Sequence, residues 1–172
     1  HASNQSKQAI IYENGVEEPI SVTYSELIKN ANKVGHVLLN HGLKKGDKVL
    51  IMMPRAIITY ELYIAALKLG IAIIPSSEML RTKDLQYRIT HGEINAVIAL
   101  ADFIEEFRDI KEYHELTKFV INGNEENWIS IEDEKAKQSD KLDIANTTRD
   151  DVAILSYTSG TCLLYTPPSP RD

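Results

Sequence analysis

Leu27, Ala31, Val34 and Leu38 recur at three- and four-residue steps, the spacing of one helical face. Thr23-Tyr24-Ser25-Glu26 stands directly before them as a capping box, in which the Thr hydroxyl accepts from the N3 amide and the Glu carboxylate reaches back to the N-cap amide. A helix is therefore predicted from Thr23, and Gly42 supplies the left-handed position that ends it. "KKGDKVLIMMP" follows with a Gly-Asp turn and an unbroken apolar run, residues 49–53, closed by Pro54. Such a run suits a strand covered on both faces. The next stretch carries Ile57, Tyr60, Ile64 and Leu67 or Lys68 at helical spacing, stops at Gly70, and leads into the strand "IAIIP" ending at Pro75.

The alternation continues. "RTKDLQYRITHGE" is a polar amphipathic helix with Leu85 and Ile89 four apart and Gly92 at its end, and "AVIAL", residues 96–100, is another apolar run. "DFIEEFRDIKEYH" is predicted helical from Phe103, Phe107 and Ile110, and "KFVIN", residues 118–122, is again strand-like. Strands and helices in strict turn predict an α/β fold, a mainly parallel sheet with helices on both faces. From residue 123 to 150 the pattern dissolves into charge, with Trp128 as the only aromatic, and the stretch reads as a charged surface connection. "VAILSY", residues 152–157, restores the strand signal. There are no internal repeats.

Composition narrows the function. A chain of 172 residues with 43% apolar content suits one domain with a real core. The net charge is −6, with 19 basic residues scattered among 25 acidic ones, so no stripe exists to hold nucleic acid. The single cysteine, Cys162, excludes an internal disulfide and a Cys-rich zinc site, and a cytoplasmic location is expected. No apolar run approaches the roughly 20 residues of a spanning helix, so no membrane span is expected. "HASNQSKQ" lacks the basic and apolar regions of a signal peptide, and the absence of an initiator Met is read as a cut N-terminus.

One segment carries the candidate chemistry. A strand followed by Tyr157-Thr158-Ser159-Gly160-Thr161 offers hydroxyls, exposed amides and one unhindered glycine, the groups that a polyphosphate needs. The same residues also suit a plain turn. A Walker loop is excluded because G-x-x-x-x-G-K-[ST] occurs nowhere, and no G-x-G-x-x-G follows any strand. His36, His41, His91 and His114 have no second ligand at metal spacing and read as surface or cap residues. Glu105 and Glu106, adjacent on a polar face, read as solvated charges.

Three segments in order resemble the core motifs of the adenylate-forming ligases: "VTYSEL" at 22–27, "LKLGIAIIPSS" at 67–77 and "VAILSYTSGT" at 152–161. "IPSSEMLRTKDLQYRITHGEINAVIA" is most similar to the acetyl- and medium-chain acyl-CoA synthetases within that superfamily. The resemblance implies that residues 1–161 form the truncated N-terminal part of an AMP-binding domain. It implies a two-step ligase in which a carboxylic acid and ATP give acyl-AMP and pyrophosphate, and coenzyme A then displaces AMP. ATP, Mg²⁺ and coenzyme A would be the co-substrates of the intact parent, and Thr158, Ser159, Gly160 and Thr161 would hold the ATP phosphates. No catalytic residue is assigned, and an isolated fragment is expected to be inactive. Two other readings remain open at this point: a non-catalytic α/β module binding an anion or a partner, and an adenylation domain acting on a carrier-protein thiol.

After Thr161 the family loop continues as T-G-x-P-K-G, whereas this chain has "CLLYTPPSPRD", without the lysine or the second glycine. Pro167, Pro168 and Pro170 forbid a helix and cannot donate to a ladder. Residues 162–172 are therefore expected to be a disordered tail. Their sequence resembles the in-frame translation of a transposon-type sequencing adapter, and a foreign origin is expected.

Overall fold

The structure, a computed structural model, describes residues 6–16 and 18–157. Strands β1 (Gln8–Tyr12) and β2 (Ile20–Thr23) form an antiparallel hairpin that feeds directly into helix α1 (Tyr24–Asn40). The capping box is present as expected. Glu26 N–H donates to the Thr23 hydroxyl at 3.2 Å, and Thr23 N–H donates to the Glu26 carboxylate at 2.9 Å. At the other end Gly42 N–H bonds to Leu39 O and Leu43 N–H to Leu38 O, the paired bonds of a Schellman stop, with Gly42 at φ 89°.

Five strands, β3 (Lys48–Met52), β4 (Ala72–Ser76), β5 (Ala96–Leu100), β6 (Thr117–Ile121) and β7 (Ile129–Ser130), form a sheet of order β4-β3-β5-β6-β7. Every pairing in it is parallel. The α/β reading with a mainly parallel sheet therefore holds. Successive strand residues point to opposite faces, and each face has its own core. Val49, Ile51, Ile73 and Ile98 pack against α1 and α2 (Ile57–Leu69), while Leu50, Met52, Ile74 and Val97 pack against α3 (Thr82–Gly92) and the 3₁₀ helix Ala101–Phe107. Each such fully buried Leu or Ile contributes about 1.5–3 kcal/mol.

Three local expectations fail for physical reasons. In α2 the buried face is Leu62, Ala65, Ala66 and Leu69, while Tyr60 and Leu67 are exposed. This helix is apolar nearly all round, so spacing alone selected no face; the small alanines are what let it approach the sheet. Gly92 is the last residue of α3, as expected, and the left-handed position after it falls to Glu93 at φ 51°. The "DFIEEF" segment is 3₁₀ and not α, and its buried residues Ile104 and Phe107 fall three apart, as a three-residue turn requires. Residues 123–150 contain strand β7 and the short helix α4 (Ile131–Lys135), which bury Ile131, and Trp128 beside them is buried too. Elements of two and five residues are too short to show a period.

"VAILSY" joins the sheet by a single parallel bridge, Ile73 to Ile154. Ile73 N–H donates to Ala153 O and Leu155 N–H donates to Ile73 O, both at 2.9 Å. These bonds face the outer side of β4, and by the two-residue period Pro75 turns its missing donor to that same side. Proline is thereby tolerated within β4.

Candidate functional site

The parallel register that pairs Ile73 with Ile154 brings Tyr157 level with Ser76, at the carboxyl edge of the sheet. In open α/β sheets the crevice beyond the carboxyl ends of the strands is where ligands bind. Chain order supports the same edge: β3 passes to β4 by α2 on one face, then returns across to β5 by α3 on the other. Thr158, Ser159, Gly160 and Thr161, the residues the sequence singles out, lie outside the described residues, as does the segment 162–172. What the structure describes is the apparatus that holds the residues before them, up to Tyr157.

That apparatus has two parts. The first is an irregular strap, residues 138–151, laid over α1 and α2. Asn32, buried on α1, donates from Nδ2 to Asp140 O at 2.7 Å and accepts at Oδ1 from Lys68 Nζ. His36 Nε2 donates to Lys141 O at 2.7 Å, and Ala145 N–H donates to Lys68 O at 2.8 Å. Gly35 is the notch that receives Leu142, since any side chain there would collide with it. Lys45 closes the strap by donating to Asn146 O at 2.7 Å and pairing with Asp151 at 2.8 Å. The hydrogen bond from Lys45 is the main reason the Asp151 carboxyl is held below the usual carboxylate range, with the Thr148 amide adding to it.

The second part is the contact of Tyr157 with α3. Its hydroxyl lies 3.0 Å from His91 Nδ1, and the Arg88 guanidinium covers its ring at 5.1 Å from the centroid. Arg88 also donates to Ser76 Oγ at 3.2 Å. Burial pushes the Tyr157 phenol up, Tyr87 adds to the effect, and Arg88 opposes it. Sequence reasoning treated His91 as a surface residue and attached no role to Arg88. The only signal available was their shared face on α3.

Other sequence candidates have structural partners. Glu106 accepts from the Thr82 amide at 2.9 Å and hydroxyl at 3.1 Å, so it caps α3 from outside and is not a merely solvated charge. Glu105 pairs with Arg108 at 2.9 Å. His41 meets the Phe119 ring edge-on, and His114 meets Tyr113 in the same way. Among the described residues no group of three or more His, Cys, Asp or Glu could hold a metal ion, and no helix is long and apolar enough to cross a membrane.

A five-stranded parallel sheet covered on both faces, with Tyr157 held against α3, defines an α/β protein. The chain belongs to the AMP-binding enzyme family, whose model matches residues 1–162. Over 155 residues it is 43% identical to the uncharacterized acyl--CoA ligase YtcI of Bacillus subtilis (strain 168), covering 90% of this chain and 29% of that protein. It is 31% identical over 157 residues to 4-hydroxybutyrate--CoA ligase 1 of Metallosphaera sedula, covering 91% of this chain and 27% of that protein. Among solved structures, apo MatB from Rhodopseudomonas palustris superposes with a TM-score of 0.73 at 26% identity, over 83% of this chain and 28% of that one. The acyl-CoA synthetase of Brucella canis superposes with a TM-score of 0.84 over 92% of this chain and 30% of that one, and at 17% identity it speaks to the fold alone. The chain thus spans under a third of the length of these relatives.

Proposed function

We propose that this chain is part of an AMP-forming acyl-CoA synthetase, which joins a carboxylic acid to ATP as acyl-AMP and then transfers the acyl group to coenzyme A. The observation that carries the reading is the 43% identity, over 90% of the chain, to an acyl-CoA ligase. The relatives' names support coenzyme A as the thiol acceptor in preference to a carrier protein. A cytoplasmic setting belongs to the same proposal.

In this reading Thr158, Ser159 and Thr161 donate hydroxyl hydrogens, and Gly160 its amide, to the β- and γ-phosphates of ATP. Mg²⁺ arrives bound to those phosphates as part of the substrate. Adenylate formation needs little covalent work from the protein: positioned donors stabilise the charge that builds on the pyrophosphate leaving group, and the carboxylate oxygen attacks the α-phosphorus. The strap and the α3 contact hold residues 152–157, which lead into Thr158–Thr161. Because the chain covers under a third of its relatives, the isolated chain is proposed to be inactive.

The test incubates the full-length gene product with ATP, Mg²⁺, coenzyme A and carboxylates from acetate to octanoate, with 4-hydroxybutyrate included, and quantifies AMP and thioester. The expected result is AMP and a matching acyl-CoA with at least one acid. AMP formation without any thioester contradicts the acceptor, and no AMP with any acid contradicts the reaction class.

A further inference from the structure

Residues 152–156 meet the sheet through one bridge only, and Val152 and Ile154 remain exposed on it. Tyr157, the next residue and the last before the hydroxyl-bearing loop, is held quite differently: it enters a seat on α3. Gly92 forms the floor, because a Cβ there would lie 3.1 Å from the Tyr157 hydroxyl oxygen and 3.2 Å from Ile94 Cγ1, so a side chain would press the phenol outward. His91 Nδ1 shares a hydrogen bond with the hydroxyl at 3.0 Å. Arg88 places its guanidinium over the ring and anchors that group on Ser76 Oγ, at the carboxyl end of β4. Tyr87 closes the side edge-on, its centroid 6.2 Å from that of Tyr157.

These residues, 87, 88, 91 and 92, lie one helical turn apart and present a single face of α3 to the edge of the sheet. A tyrosine needs none of this merely to fill space. Ring, hydroxyl and backbone floor are all specified, whereas the strand behind it is specified by two hydrogen bonds. Adjacent Cα atoms across a trans peptide stand about 3.8 Å apart. Fixing Tyr157 therefore fixes where residue 158 begins.

We propose that Tyr157, seated on α3 by Gly92, His91 and Arg88, is a positioning residue for the phosphate loop, setting where Thr158–Thr161 start relative to ATP without touching the nucleotide. This deepens the reading of that loop given above and rests on it. Donors that act by preorganised placement lose effect when their origin shifts by a fraction of an ångström, and the loss falls on the ligand they grip.

The test is steady-state kinetics of the full-length enzyme with MgATP varied, comparing wild type with Tyr157→Phe, Gly92→Ala and Ser159→Ala. Tyr157→Phe keeps the ring and loses the hydroxyl, with its bond to His91 and its longer one to Arg88 O at 3.5 Å; it is expected to raise KM for ATP about 3- to 10-fold, while KM for the carboxylate and for coenzyme A stay as in wild type. Gly92→Ala is expected to move ATP alone in the same direction. A purely structural role would instead reduce the amount of active enzyme and leave every KM unchanged. If Ser159→Ala raises KM for ATP and Tyr157→Phe does not, the seat is not a positioning device and the loop reading stands. If neither raises it, the loop reading falls and the proposal falls with it. Should Gly92→Ala yield no folded protein, the milder Tyr157→Phe decides alone.

Discussion

Asp151 and Lys45 meet at 2.8 Å and so tie the segment that leads into the bridge at Ile154 to the turn that leads into β3. Asp151 Oδ2 also accepts from the Thr148 amide at 2.6 Å. Both bonds favour the ionised carboxylate, which is why its folded pKa is lowered, the Lys45 hydrogen bond first. A carboxyl with a lowered folded pKa stabilises the fold fully above its unfolded value, about 4, and that stabilisation disappears as pH falls through the folded value. Thermal midpoints of wild type and Asp151→Asn, measured from neutral pH downward, should differ at neutral pH and converge in acid. A gap that persists in acid would show that the carboxylate's charge is not what matters.

Glu61 is buried at 2% exposure within α2 and pairs with Lys135 of α4. Removing one partner leaves an uncompensated charge out of water, a loss of about 3–5 kcal/mol, whereas replacing both by apolar residues is often near neutral. Lys135→Ala should therefore lower the urea midpoint sharply, and Glu61→Leu with Lys135→Met should recover most of it. Equal loss in single and double variants would contradict this account of the pair.

Gly70 ends α2 at φ 68°, and a Cβ there would come within 2.9 Å of both Lys45 Cγ and Thr147 Cγ2. Gly70→Ala should cost about 1–2 kcal/mol from the left-handed backbone alone. It should also displace the strap, so hydrogen exchange at the Ala145 amide, which bonds to Lys68 O, should quicken. Unchanged exchange there would separate the strap from this glycine.

Thr23→Ala removes one side of the capping box and should cost about 1 kcal/mol. Glu26, whose carboxyl the Thr23 backbone and hydroxyl bonds hold below its ordinary value, should titrate higher in the variant. NMR titration of Glu26 reads this directly, and an unmoved titration would mean that the Thr23 hydroxyl adds nothing to the backbone bond, which the variant keeps.

The legible parts of the fold are those where polarity and period agree. Thr23 and Glu26 mark the start of α1, and Leu27, Ala31, Val34 and Leu38 mark its buried face, because polar residues separate them. In α2 nothing separates them: with Ile57, Ile58, Leu62, Ile64 and Leu67 all apolar, only packing against the sheet selects Ala65 and Ala66 as the inward side. Around Trp128 the apolar residues are adjacent, not periodic, and burial comes from the Phe107 ring 5.6 Å away. The hydroxyl-bearing residues Thr158–Thr161 stand out by local composition and lie outside the described residues. The contact of Tyr157 with His91 is not legible in sequence, since the two stand 66 residues apart and only folding brings them together.

Carboxylate-dependent ATP–pyrophosphate exchange by the full-length enzyme, wild type against the combined Thr158→Val, Ser159→Ala and Thr161→Val variant, addresses the phosphate-binding role proposed for these residues with no thiol step in the way. Three lost donors to charged oxygens should lower kcat/KM for ATP by about 100-fold or more. Exchange at the wild-type rate in a variant stripped of those hydroxyls would contradict the assignment of this loop to ATP.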